Sequence, residues 1–204
     1  MLKSTFISLI ANYTKNDILI NELWIDIEKK YSTKKKYYHT LVHLENILKE
    51  LLKVKGEIKN WNVVLFSLYY HDIIYNSSKS DNEEKSAEYA ERQMKKLLVE
   101  VNLIEGCKRQ ILATKTHSLS AENDINYFID ADLSVLGERW EIYKEYFINV
   151  RKEYSIYPKI IYNSGRKKVL VHFLESKKIF KTDFFYNKYE VQAKQNLQKE
   201  IELL

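Results

Sequence analysis

Three of the five histidines stand where a buried metal site or a proton-transfer site would use them. His39 and His43 are four apart in YYHTLVHLENILKELL, where Tyr38, Leu41, Val42, Leu48 and Leu52 recur at helical spacing. That spacing predicts both imidazoles on one helix face. His71 and Asp72 interrupt WNVVLFSLYYHDIIY, Trp61 to Tyr75, in which only Ser67, His71 and Asp72 from Val63 onward are neither aliphatic nor aromatic. Apolar surface on every side predicts a helix in the middle of a core, ending near Tyr75. A carboxylate there costs on the order of several kcal/mol unless a partner compensates it, and a buried imidazole needs a defined hydrogen bond or ligand bond. A metal ion beside the helix is the simplest partner, because it takes a nitrogen and an oxygen ligand from adjacent residues. Asp130 and Asp132 raise the same problem in a second apolar run of Phe128, Ile129, Leu133, Val135 and Leu136. On a helix they point about 160° apart, so one is the candidate ligand and the other a cap, a salt-bridge partner or a support for a ligand.

The elements that must carry these groups are helical. Four Gly and one Pro in 204 residues leave few breakers, and Leu, Lys, Glu and Ile dominate, which predicts an all-α chain with short connections. The length fits one domain, read as 1–204, with a metal-site core over about 37–137 and C-terminal helices over 138–204 packed on it. Two amphipathic helices open the chain, Leu2 to Tyr13 and Asp17 to Tyr31, the second with Ile18, Leu19, Leu23, Trp24 and Ile27 facing inward. A later helix starts at Asp81-Asn82-Glu83-Glu84, where Asp81 and Glu84 have the spacing of a capping box. Asn102 to Thr116 forms another, with Ile104, Ile111 and Leu112 inward, delivering Lys115 and His117 to a loop. Glu138 to Tyr157, Gly165 to Phe180 and Asp183 to Leu204 complete the set, and His172 reads as a core or boundary histidine.

The order His43, then His71-Asp72, then Asp132, each in an apolar helix, resembles the HD superfamily of metal-dependent phosphohydrolases. Tyr38 to His43, YHTLVH, is similar to the YHxxxH element of cyclic nucleotide phosphodiesterases, and Ala131-Asp132-Leu133 to their ADL element, which selects Asp132 over Asp130. The stretches YHTLVHL, HDIIYN, DNEEKSA, ATKTH, DADLSVLG, VRKEY and AKQNLQKE resemble, in order, the blocks of a bacterial HD family of predicted phosphohydrolases. The resemblance implies an HD-domain helical bundle with His43, His71, Asp72 and Asp132 as metal ligands and His39 as proton donor to a leaving group. Lys115 and His117 are the candidates for binding phosphate, and His117 also for a second metal bridged by Asp72. Glu83 is a candidate for orienting the attacking water, and Arg151 a further substrate-binding candidate.

Nitrogen and oxygen donors without thiolate suit a divalent ion among Mn, Mg, Fe, Co, Ni and Zn. The expected activity is metal-dependent hydrolysis of a phosphoester or phosphoanhydride in a small phosphorylated molecule, with a nucleotide as the expected class. Two alternatives stay open: a di-metal oxygen-activating enzyme of the same fold, and a non-catalytic module that senses nucleotides or binds nucleic acid. The net charge of +5 is spread along the chain, with clusters at Lys34 to Lys36 and Arg166 to Lys168 that read as solvated surface, so nucleic acid is not the expected partner. One cysteine, Cys107, excludes an internal disulfide framework and fits a reducing cytosol. The N-terminus carries neither a signal-peptide pattern nor a membrane span, so a cytoplasmic location is expected.

Overall fold

Val63 to Tyr70 are all buried, and this apolar run forms the central helix of the N-terminal part of the chain. The computed structural model describes all residues, Met1–Leu204, as ten α-helices with no strand. It divides into two compact units, Met1–Ile129 and Asp130–Leu204. In the first unit the helices are α1 (Leu2–Ile10), α2 (Asp17–Tyr31), α3 (Leu41–Lys53), α4 (Trp61–Tyr70), α5 (Asn82–Lys96) and α6 (Val101–Ala113). Helix α7 (Asn123–Leu133) begins in the first unit and ends in the second. The second unit continues with a 3-10 turn at Ser134–Gly137, then α8 (Trp140–Glu153), α9 (Lys159–Glu175) and α10 (Asp183–Leu203). No helix is long and apolar enough to cross a membrane.

Helix α4 has neighbours on all sides: α1, α3, α5 and α6 pack against it. Close approach to α6 depends on Gly106, where a Cβ atom would come within 3.3 Å of the Val63 side chain. Both ends of α4 are fixed by hydrogen bonds from distant sequence. The Lys59 and Asn60 amides donate to the Asp124 carboxylate at 2.9 and 2.8 Å, tying the start of α4 to the first turn of α7. Near the other end the Tyr31 hydroxyl donates to the Tyr69 carbonyl at 3.2 Å, and the Tyr69 hydroxyl donates to the Leu2 carbonyl at 2.8 Å.

Several helix ends differ from their sequence-based expectations. Helix α4 stops at Tyr70 rather than near Tyr75, with His71 as its C-cap. The apolar pattern continues through Ile73, but the backbone there is taken by another helix: the Ile74 amide donates to the Ser86 hydroxyl and that hydroxyl donates to the Ile74 carbonyl, both at 3.2 Å. Helix α3 starts at Leu41, so His39 precedes it and does not share its face with His43. Val42, Leu52, Ile18 and Leu112, expected inward, are exposed; Leu44, Ile47 and Leu51 form the buried face of α3 instead. The capping box at α5 is not made, because Asp81 pairs with Lys85 and Glu84 pairs with Lys115 of the distant α6 end. Helix α9 runs Lys159–Glu175 rather than from Gly165 to Phe180, and His172 on it is exposed.

The second unit is built around buried carboxylates. Glu200 of α10 accepts from Arg166 Nε at 2.7 Å and Nη2 at 2.9 Å, and from the Tyr143 hydroxyl. Glu190 accepts from the Ile179 and Phe180 amides at 3.0 and 3.1 Å. The 3-10 turn lies directly on α10: a Cβ on Gly137 would sit 2.6 Å from the Tyr189 carbonyl oxygen, and Asn196 donates to the Leu136 and Glu138 carbonyls.

Candidate metal centre

Where α4 ends, its last carbonyls have no amide partner within the helix. His71 uses one of them: its Nδ1 lies 3.0 Å from the Leu68 carbonyl oxygen. A carbonyl only accepts, so Nδ1 carries the proton, and in the neutral ring Nε2 then presents a lone pair. That Nε2 atom is 3.1 Å from Asp72 Oδ2 and 3.4 Å from His43 Nε2. Two lone-pair atoms at 3.1 Å repel each other unless a cation or a proton lies between them.

The same carboxylate oxygen gathers two more imidazoles. His43 Nε2 and His39 Nε2 each lie 3.8 Å from Asp72 Oδ2. His43 and His71 are buried, whereas Asp72 and His39 each keep 17% of their side-chain surface, so the group opens to solvent on the Asp72 and His39 side. His39 sits in the irregular segment before α3 and reaches the group because its ring stacks on Tyr75, with centroids 4.0 Å apart and planes at 28°. Tyr38 packs its ring on both His39 and His43.

Asp132 enters through α7. Phe128, on the first-unit part of that helix, meets the His71 ring edge-on at 5.6 Å. Asp132 follows four residues later, one turn on along the same face. One ligand atom from each of His43, His71 and Asp132 lies within 4.8 Å of the other two, a spacing at which the three could hold a metal ion. Two ligands at roughly 2.1 Å from an ion, separated by roughly 90 to 110°, lie about 3.0 to 3.4 Å apart. The His71–Asp72 and His71–His43 spacings of 3.1 and 3.4 Å fall in that range, and 3.8 Å needs only a small inward movement. Two imidazoles and two carboxylates suit a hard or borderline divalent ion and balance its charge.

Compared with known proteins, the chain matches no protein-family model, no curated protein and no solved structure. The site is therefore read from its own residues.

Asp130, two residues before Asp132, is engaged elsewhere. Its carboxylate accepts from the Lys181 and Thr182 amides at 2.8 and 2.7 Å and from the Thr182 hydroxyl at 2.8 Å. Burial pushes its pKa up, and these donors pull it back down in part. Lys115 donates to the Ser80 carbonyl at 2.8 Å and pairs with Glu84, a contact that raises the lysine pKa and lowers that of the carboxylate. Glu83 stands beside this pair in the first turn of α5. His117, just past α6, has a positive φ of 50°. Arg151 donates to the Tyr154 and Tyr157 carbonyls at 2.7 and 3.0 Å and stacks on Tyr162, which ties it to the turn after α8.

Sequence reasoning passed over Lys36 and Tyr75. Lys36 reads as one of three solvated lysines, yet its ammonium donates to the Asp72 carbonyl at 2.8 Å. No spacing in the sequence signals that bond, because its partner lies 36 positions away.

Proposed function

We propose that this protein is a metal-dependent phosphohydrolase that cleaves a phosphoester or phosphoanhydride bond of a small phosphorylated molecule, with nucleotides as the first class to test. The observation that carries the reading is the convergence of the His71 and His43 Nε2 atoms on Asp72 Oδ2, with Asp132 within reach of both histidines. His43, His71, Asp72 and Asp132 would hold a divalent ion, which would supply a Lewis acid that lowers the pKa of a bound water and polarises a phosphoryl oxygen.

The chain's own groups then have separable tasks. His71, fixed in one tautomer by the Leu68 carbonyl, keeps its Nε2 lone pair aimed into the site without reorientation. His39 lies on the solvent-accessible side next to Asp72 and is the proton donor to the departing oxygen. Its stack on Tyr75 limits its rotation, so the proton is offered from one direction. Lys115 and His117 are assigned to phosphate binding and Glu83 to orienting the attacking water. For Lys115 this requires exchanging Glu84 for the substrate. Arg151 remains the weakest substrate-binding candidate, since its Nη1 and Nη2 each already donate to a carbonyl of the turn after α8.

The test is release of phosphate or pyrophosphate from a nucleotide panel by metal-stripped protein, with Mn, Mg, Co, Ni, Fe and Zn added back singly. Turnover that depends on one of these ions and is lost in a folded His71→Ala variant is the expected result. Metal binding without turnover on any phosphorylated substrate would contradict the hydrolase reading and favour oxygen-activating chemistry or a sensor.

A further inference from the structure

His39 and Asp72 share a weakness of position, since both lie outside regular helix. His39 belongs to the link between α2 and α3, and Asp72 to the turn after α4. Irregular backbone on its own does not hold a side chain to the few tenths of an ångström that coordination and proton transfer require. Two contacts clamp these stretches together. Lys36 Nζ donates to the Asp72 carbonyl at 2.8 Å, and the same ammonium lies 4.2 Å from the Tyr31 ring centroid and 5.9 Å from that of Tyr75. Tyr75 in turn carries the His39 ring. The lysine is half-buried and spans the end of α2, the turn carrying the HD pair and the aromatic support of His39.

We propose that Lys36 is a positioning residue for the metal site: by holding the Asp72 backbone against the 36–39 segment it sets the placement of the Asp72 carboxylate and of His39. The inference rests on the metal-site reading above. A cation beside the last turn of a helix also suits the helix dipole, so the competing explanation is that Lys36 only caps α4. The two differ in what they do to metal affinity. A cap contributes to stability alone, whereas loss of a group that orients a ligand weakens the metal itself, by roughly 10- to 100-fold.

The experiment is a calorimetric titration of the full chain with Co²⁺, read together with the visible absorption of the bound ion, for wild type, Lys36→Met and Lys36→Arg. Circular dichroism and thermal unfolding serve as controls for folding. In Lys36→Met, affinity is expected to fall roughly tenfold with a changed Co²⁺ spectrum, and in Lys36→Arg, which keeps the charge and a donor, to stay near wild type. Lys36→Gln, with a shorter neutral donor, is the second variant if the methionine form does not fold, and the same loss is expected of it. Wild-type affinity in the Lys36→Met or Lys36→Gln protein, with or without a lower Tm, would overturn the inference and leave the metal site standing. No Co²⁺ uptake by wild type would remove the metal site and the inference with it.

Discussion

In the second unit Glu200 meets the Arg166 guanidinium through two hydrogen bonds and the Tyr143 hydroxyl through a third, while in the first unit the Asp72 carboxylate faces the Nε2 atoms of three histidines. Glu190 and Asp130 resemble Glu200: each is buried, and each is bonded to backbone amides. A buried carboxylate whose oxygens accept from fixed donors is a structural element, because its desolvation is offset at least in part by groups already in place. Asp72 differs in its neighbours, which are imidazoles rather than amides or a guanidinium, and the Nδ1–Leu68 contact turns the His71 Nε2 toward the carboxylate. Such an arrangement calls for a cation or a proton between ring and carboxylate.

The largest expected effect belongs to the structural side. Glu200→Ala leaves a buried guanidinium without its counter-charge and should cost about 3 to 5 kcal/mol, measured by denaturant unfolding. A loss near zero would mean that the second unit's carboxylates are not held as described. Next comes the ligand side: a divalent ion at a hundredfold excess over its Kd should stabilise the wild type by about 2.7 kcal/mol and leave His71→Ala unchanged. An equal increment in both proteins would show that the ion binds elsewhere.

Asp130→Asn removes one of the structural acceptors and should cost about 1 to 3 kcal/mol. Its pH dependence has a definite sign. The folded-state pKa is raised, so folding favours the protonated form, and that contribution is present at pH below the ordinary aspartate value and is lost as pH rises through the folded value. Thermal scans from acid to neutral pH should therefore show a shallower decline with rising pH in Asp130→Asn than in wild type. The smallest effect is expected at the surface, where Lys108 and Lys95 hold the Glu91 pKa down to about 2. Because that pKa is depressed, the pair helps folding above the ordinary glutamate range and the help is lost as pH falls through 2. Glu91→Gln should differ slightly from wild type at neutral pH and converge with it in acid.

The same contrast decides what was legible in the sequence. The all-helical class and the central position of α4 follow from apolar content and few breakers, which are local properties. Helix α2 matches its expected span, Asp17–Tyr31, because the amphipathic spacing that marked it is local; the structure adds the Asn16 side chain accepting from the Leu19 amide at its start. The end of α4 was not legible, because Ser86 and Lys36, distant in sequence, take the backbone groups of Ile74 and Asp72. The capping box failed for the same reason, since Lys115 outcompetes the local pattern for Glu84. His39 comes close to Asp72 by stacking on Tyr75 rather than by the helical spacing that singled it out.

The most direct measurement is the metal stoichiometry of the full chain, by titration of stripped protein with Co²⁺, for wild type and for His43→Ala, Asp72→Asn and Asp132→Asn. The expected result is saturable binding by wild type, sharply weakened in each variant while all four proteins remain folded. Wild-type protein that takes up no divalent ion, or variants that bind it as tightly as wild type, would contradict the site.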